Sequence, residues 1–201
     1  DVPAESSGRV IDLVHQRKGE MLIMESKGEM QHLEFEIPSR GLIGLRSNML
    51  TNTAGEAVMA HRFLEYKPWK GYIPGRSNGV LISKNQEKTT GYSIDKLQDR
   101  GRFFVDPGEE VYIGQIIAEH IKPGDLIVNA TEPKKLTNHR ASGADDASRI
   151  APKTLMTLEE CMEYIQQDEC IEVTPKFIRM RKVILNEDER KKTQRMQQVE
   201  A

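Results

Sequence analysis

The chain has 201 residues, with 29 Lys+Arg against 31 Asp+Glu, a formal net charge of −2, 37 % hydrophobic and 5 % aromatic side chains. At about 100–150 residues per domain, this length supports one large or two small domains with cores of their own, and no run of about 18 apolar residues is present to form a transmembrane helix. Cys161 and Cys170 are too few for a disulfide framework and fit a reducing, cytoplasmic setting with no membrane partner.

The sum of −2 conceals an asymmetry. Residues 176–195 hold eight basic side chains and three acidic ones, +5 in twenty residues, whereas the residues before them carry 21 basic and 27 acidic groups, −6. A basic end on an acidic body points weakly to nucleic acid or an acidic partner, and equally to a solvated strand and tail.

In chain order, Val10, Ile11, Leu13 and Val14 recur at helical spacing, so a helix is expected over 8–19, with Gly19 as its left-handed cap. Short strands follow at 21–24 and 33–37, the second alternating Leu33, Phe35 and Ile37 with polar residues. Ser39 is placed to cap a helix carrying Leu42, Leu45, Met49 and Leu50, and 57–66 reads as a strand. Helix, strand, strand, helix, strand is the split-βαβ, ferredoxin-like pattern lacking its first strand. Val2 is expected to be the last residue of that strand, and Asp1-Val2-Pro3 the cut edge of a longer protein.

The segment 67–75, dense in Pro and Gly and holding the only Trp, reads as a linker. Beyond it come closely spaced strand candidates at 80–83, 89–94, 103–105, 110–112, 115–120 and 126–128, expected to form a small barrel or twisted sheet. Periodicity disappears from 129 to 151. Thr157-Leu-Glu-Glu160 is a capping box that opens a helix, 171–173 and 178–185 read as strands, and Asn186 is placed to cap a final polar helix. The fold class expected is α+β: a ferredoxin-like domain over 1–68, then a mainly β domain over 69–201 with one or two helices.

Catalytic chemistry has no candidate. The P-loop pattern is absent, and Gly41-Leu-Ile-Gly44 lacks its lysine and third glycine, so it reads as close helix packing. Five scattered histidines give no metal-ligand spacing, and Cys161 falls on an apolar stripe, which reads as core. No catalytic, cofactor or metal residue is therefore assigned. What remains is the loop string Lys134, Lys135, Thr137, Asn138, Arg140 and Ser142. Its cations suit phosphates and its amide and hydroxyls suit 2′-hydroxyls or base edges, although an ordinary surface loop reads the same on composition. Three cations give a modest electrostatic attraction and need the basic strand of Arg179, Arg181 and Lys182 beside them. The loop and the last ten residues, poor in apolar surface, are expected to be mobile.

Gly8-Arg-Val-Ile-Asp-Leu-Val with Arg17-Lys-Gly19, and Ile37-Pro-Ser-Arg-Gly-Leu-Ile-Gly44, resemble domain V of the elongation-factor-G class. Gly79-Val-Leu-Ile-Ser83, Leu97-Gln-Asp-Arg-Gly101, Gly114-Gln-Ile-Ile117, Lys134-Lys-Leu-Thr-Asn138 with Arg140-Ala-Ser-Gly143, and Glu172-Val-Thr-Pro175 resemble the C-terminal domain of the BipA/TypA translational GTPases. The resemblance covers essentially all of 5–192. It implies a ribosome-binding C-terminal portion whose first domain faces large-subunit rRNA and whose loop, 134–144, lies near the acceptor end of an A-site tRNA with Lys134, Lys135, Asn138 and Arg140 as contacts; beside that, the charge pattern adds Arg179, Arg181 and Lys182 as expected phosphate contacts. The parent it implies is a GTP hydrolase acting in large-subunit assembly and in growth under cold or other stress. GTP and Mg²⁺ then belong to an absent N-terminal domain, and the portion itself is a monomer and not an enzyme. A regulatory ligand-binding or dimerisation module of ferredoxin-like type is the alternative expectation.

Overall fold

In the first part of the chain, Val2, Val10, Val14, Leu45, Met49 and Ala57 converge on one buried cluster, backed by Leu33, Phe35 and Ile37. The computed structural model describes residues 1–73, 75–134 and 150–199, and these fall into two compact units, Asp1–Gly75 and Arg76–Ala201. The division lies at 75/76, beyond the expected 68/69. Residues 69–71 are held by the first unit: the Arg40 guanidinium stacks 3.4 Å above the Trp69 ring and donates to the Gly71 carbonyl, while Lys70 pairs with Glu20 at 2.7 Å.

In unit 1, β1 (Val2–Pro3), α1 (Ser7–Gln16), β2 (Glu20–Lys27), β3 (Met30–Glu36) and α2 (Leu45–Asn52) give an antiparallel sheet of order β1-β3-β2 with the two helices, the split-βαβ arrangement. Two local expectations change. At the end of α1 the left-handed residue is Lys18 (φ 64°), with Lys18 N–H donating to the His15 carbonyl and Gly19 N–H to that of Val14. This is a Schellman closure in which Gly19 is needed for space, because a Cβ there would meet the Val14 carbonyl at 2.9 Å. Ser39 starts only a short 3₁₀ turn, Ser39–Leu42, and α2 takes Gly44 (φ 66°) as its N-cap with no side-chain cap. Gly41 does mark a close approach, a Cβ there meeting the Arg17 carbonyl at 2.9 Å.

The strand expected over 57–66 is absent. Asp1 and Val58 exchange two backbone hydrogen bonds, of 3.0 and 2.9 Å, and no described strand continues the ladder beyond them. Phe63, Leu64 and Tyr66 are accordingly exposed.

In unit 2, β4 (Val80–Ser83), β6 (Gly101–Phe103), β8 (Gln115–His120), β9 (Leu126–Val128), β10 (Glu169–Val173) and β11 (Ile178–Lys182) form one sheet of order β10-β11-β8-β4-β9, with β6 also on β8. It is an open, mixed sheet, with β4 and β9 parallel, rather than a closed barrel. Beside it lie the two-stranded pair β5 (Glu87–Lys88) and β7 (Glu110–Val111) and the helices α3 (Gly91–Leu97), α4 (Leu158–Tyr164) and α5 (Glu187–Val199). β4 is buried on both faces: Leu81 joins Ile94, Phe103, Ile117 and Ala130 on one side, while Val80 and Ile82 join Ile116, Cys161 and Met180 on the other. A strand covered twice reads as a continuous apolar run, which is how Val80-Leu-Ile appears.

Helix α3 stands where a strand was expected over 89–94, bringing the described helices of unit 2 to three. The Thr90 hydroxyl accepts from Ser93 N–H at 3.2 Å, an N-cap that the alternation of Tyr92 and Ile94 disguised. The capping box at Thr157 and Glu160 is complete, and Asn186 accepts from Asp188 N–H at 2.8 Å at the start of α5. Replacing Gly19 by Ala is expected to cost about 1–3 kcal/mol in chemical denaturation, because the added carbon forces the Schellman backbone away from Val14.

Candidate nucleic-acid interface

Helix α3 holds both ends of the loop that carries the basic string. On the entry side Thr90 N–H donates to the Ala130 carbonyl at 3.0 Å, and the hydroxyls of Thr90 and Ser93 donate to the Glu132 carbonyl at 2.6 and 2.8 Å. Ala130 and Thr131 are buried, so Lys134 stands exposed a few residues from a rigid root. On the return side Ile150 packs against the core cluster containing Ile94, Ala151 N–H donates to Gln98 Oε1 at 3.3 Å, and Thr154 N–H to the Phe103 carbonyl at 2.8 Å. Lys153 is neutralised by Asp106 and Glu109, which hold its ammonium above the usual lysine range. Lys135, Thr137, Asn138, Arg140 and Ser142 lie outside the described residues, as does the mobility expected of them.

The basic strand β11 divides into three chemically different cations. Arg179 lies over the Phe177 ring at 4.6 Å and has no carboxylate partner among the described residues. Arg181 Nε donates to Glu172 Oε1 at 2.7 Å, and the other oxygen of Glu172 accepts from the Tyr112 hydroxyl at 2.5 Å. Burial and that hydrogen bond together push the Tyr112 phenol above its ordinary pKa.

Lys182 is the correction. Only 1 % exposed, it sits with its ammonium 2.5 Å from Asp125 Oδ2, 2.8 Å from Asp168 Oδ2 and 2.9 Å from Glu169 Oε1. It is an internal cation and offers nothing to a phosphate. Glu169 in turn receives both arms of the Arg76 guanidinium, at 2.7 and 2.5 Å, and that guanidinium lies over the Tyr164 ring. Burial alone would lower the Lys182 pKa and raise that of Glu169. The opposing charges and hydrogen bonds outweigh it, so Lys182 is held above, and Glu169 below, its usual range. Arg76 escaped notice in the sequence because its partner lies 93 positions away.

Part of the +5 in 176–195 is thus spent internally. Lys191 pairs with Glu187, and Arg190 donates to the carbonyls of Ile184 and Leu185. Burial also pushes the Cys161 thiol up, away from the reactive thiolate. Among the described residues no group of His, Cys, Asp and Glu is arranged to hold a metal, and no helix is long and apolar enough to cross a membrane.

A family model described as "Elongation factor G C-terminus" matches residues 1–76, and one described as "TypA/BipA C-terminal domain" matches 78–187. The chain belongs to the TypA/BipA family. It is 45 % identical over 194 residues to the large ribosomal subunit assembly factor BipA of Bacillus subtilis, covering 96 % of this chain and 32 % of that protein. With the protein of the same name from Escherichia coli K12 it shares 44 % over 197 residues, 97 % of this chain and 32 % of the relative. The Synechocystis relative is 43 % identical over 185 residues, 91 % of this chain and 31 % of its own length. The chain therefore spans about a third of the length of the curated relatives it matches. The boundary between the two family matches coincides with the division of the fold, so in this TypA/BipA chain the loop and β11 both belong to the unit matched by the TypA/BipA-specific model.

Two cations three positions apart on β11 separate by experiment. Lys182→Ala is expected to destabilise unit 2 by about 3–5 kcal/mol, because it strands Glu169 and its neighbours, whereas Arg179→Ala stays within about 0.5 kcal/mol of the parent in urea denaturation. The pH dependence follows from the same cluster. Glu169, with its pKa depressed, contributes stability above the ordinary carboxyl range and loses it as pH falls through the lowered value. Lys182, with its pKa raised, contributes fully below the ordinary lysine value of 10.5 and loses it as pH rises through the elevated one. Denaturation midpoints of unit 2 are expected to be flat between about pH 5 and pH 10 and to fall on both sides, the alkaline fall becoming shallower in Lys182→Met.

Proposed function

We propose that this chain is a ribosome-binding portion of a BipA-type translational GTPase, meeting large-subunit rRNA and A-site tRNA through the 129–151 loop and Arg179. The observation that carries the reading is the anchoring of both roots of the segment to α3 and the 3₁₀ turn that follows it: Thr90 and Ser93 grip the stretch that leads to Lys134, and Gln98 holds Ala151 on the return, so the string Lys134, Lys135, Thr137, Asn138, Arg140 and Ser142 lies between two fixed roots in the sequence. A loop that is both tethered and cationic suits a phosphate-lined target that must be met at chosen points. The relatives, named as assembly factors of the large ribosomal subunit, supply the class of target. Arg181, tied to Glu172, orders the strand next to Arg179, and Lys182 is left out of the interface.

On this reading the protein works in the cytoplasm as a monomer, in assembly of the large subunit and in growth under cold or other stress. GTP and Mg²⁺ are bound, and GTP is hydrolysed, by the part of the relatives to which this chain does not correspond. Replacing Lys134, Lys135 and Arg140 together by Ala is expected to weaken co-sedimentation with 50S and 70S particles. The slope of log affinity against log salt should fall by roughly 0.7–0.9 for each phosphate contact removed, without lowering the melting temperature. Unchanged sedimentation at physiological salt overturns the assignment of the loop.

A further inference from the structure

At the other end of β9 from the loop, the 3₁₀ turn Gln98–Arg100, the end of β8 and the turn 121–125 enclose a cleft of about 470 Å³ lined by Asp99, Arg100, His120, Ile121, Lys122 and Leu126. Its backbone is tied together: Ile121 N–H donates to the Arg100 carbonyl at 3.0 Å, Gly79 N–H to that of Lys122 at 3.0 Å, and His120 N–H to that of Gly79 at 2.9 Å. Arg100 and Lys122 are therefore carried on a fixed frame, and both side chains are exposed with no carboxylate partner within ion-pair distance among the described residues. His120 Nδ1 lies 2.8 Å from the Gly124 carbonyl, which can only accept, so Nδ1 carries the hydrogen and Nε2 is the nitrogen left over.

The acid of the same turn is removed from play. Asp125 accepts from Val80 N–H with one oxygen and holds Lys182 with the other, so the Lys122-Pro-Gly-Asp125 turn presents its cation outward and its carboxylate inward. Asp99 is the one acid that lines the cleft, against Arg100 and Lys122. Beside the charges, Ile121 is 59 % exposed and Leu126 is half-buried, an apolar shelf with nothing described upon it.

We infer that this cleft is a second RNA contact, taking one phosphodiester between Arg100 and Lys122 and laying the adjoining ribose and base on Ile121 and Leu126. The volume falls within the range of small-ligand sites, and the combination of a guanidinium fork, an ammonium and an apolar shelf matches a nucleotide unit better than a bare anion. The inference rests on the ribosomal-RNA reading above and gives the chain a second contact point, at the end of β9 opposite the one from which the 129–151 segment departs. The sequence concealed it, because Arg100 and Lys122 each stand singly in turns and only the pairing of β6 with β8 brings them together.

The test uses the 201-residue chain and Arg100→Ala/Lys122→Ala, with fluorescein-labelled decauridylate followed by anisotropy, UMP as competitor, and 50S co-sedimentation across a salt series. Expected are about a tenfold loss of decauridylate affinity and a salt slope lower by roughly 0.7 for the one phosphate contact, at an unchanged melting temperature. The imidazole resonances of His120 are expected to shift on addition of decauridylate to the parent chain and not to the variant. Equal binding of decauridylate by parent and variant, or UMP binding as tightly as decauridylate, overturns the RNA cleft. If the parent sediments with 50S and the variant does so with the same slope, the cleft fails while the ribosomal reading stands. If the parent does not sediment, the ribosomal reading fails and the decauridylate comparison alone decides the cleft.

Discussion

The ammonium of Lys182 is the point on which unit 2 closes. Three carboxylates meet it, from two distant stretches of chain: Asp125 from the turn before β9, and Asp168 and Glu169 from the entry of β10. Glu169 passes the connection on to Arg76 at the start of the unit, and Arg76 reaches the Tyr164 carbonyl at the end of α4. A charge taken this far from water is tolerable only when every partner is in place, which makes the cluster a demand for one register of the sheet. β11 must lie against β10 with Glu169 opposite Lys182, and it does.

The same cluster decides which charges remain for a partner. By consuming Lys182 and Asp125 it turns the 121–125 turn basic on its outer side, and it leaves Arg179, half-buried over the Phe177 ring, as the cation of the strand without a carboxylate partner among the described residues. The net charge of −2 is therefore a poor guide to the surface, since the ions that cancel are partly those that are buried. Helix α3 plays the corresponding part for the loop: its buried Ile94 packs in the core while Thr90, Ser93 and Gln98 hold the loop roots, so core packing and presentation share one short element.

Much of the fold was legible where the signal is local. The alternation of Leu33, Phe35 and Ile37, the capping box at Thr157 and Glu160, and the Asn186 cap depend on neighbours within a few residues, and the structure shows each of them. The failures share a cause. Residues 89–94 look like a strand by alternation, yet Thr90 caps a helix whose Ile94 is drawn into the core on one face of β4. Residues 57–66 have a strand's composition, but a strand exists only through its ladder, and the described ladder stops at Val58. The linker assignment of Trp69 failed because stacking under Arg40, 29 positions earlier, is invisible to composition.

The candidate site divides in the same way. Order along the chain determined that a cationic string with Asn, Thr and Ser lies between β9 and α4, that the P-loop sequence pattern does not occur in these residues, and that the motifs resemble the TypA/BipA C-terminal domain. Those are statements about residue identity and spacing, which the chain carries without folding. Only the tertiary structure decided which cations are available. Lys182, Arg181 and Arg179 occupy neighbouring positions on one strand, yet one is buried among carboxylates, one is bound to Glu172 and one lies half-buried over the Phe177 ring. Arg100 and Lys122, unremarkable in their turns, come to line one cleft. Charge is written in the sequence, but its solvation and pairing are properties of the folded chain, because both depend on what the sheet brings within 3 Å.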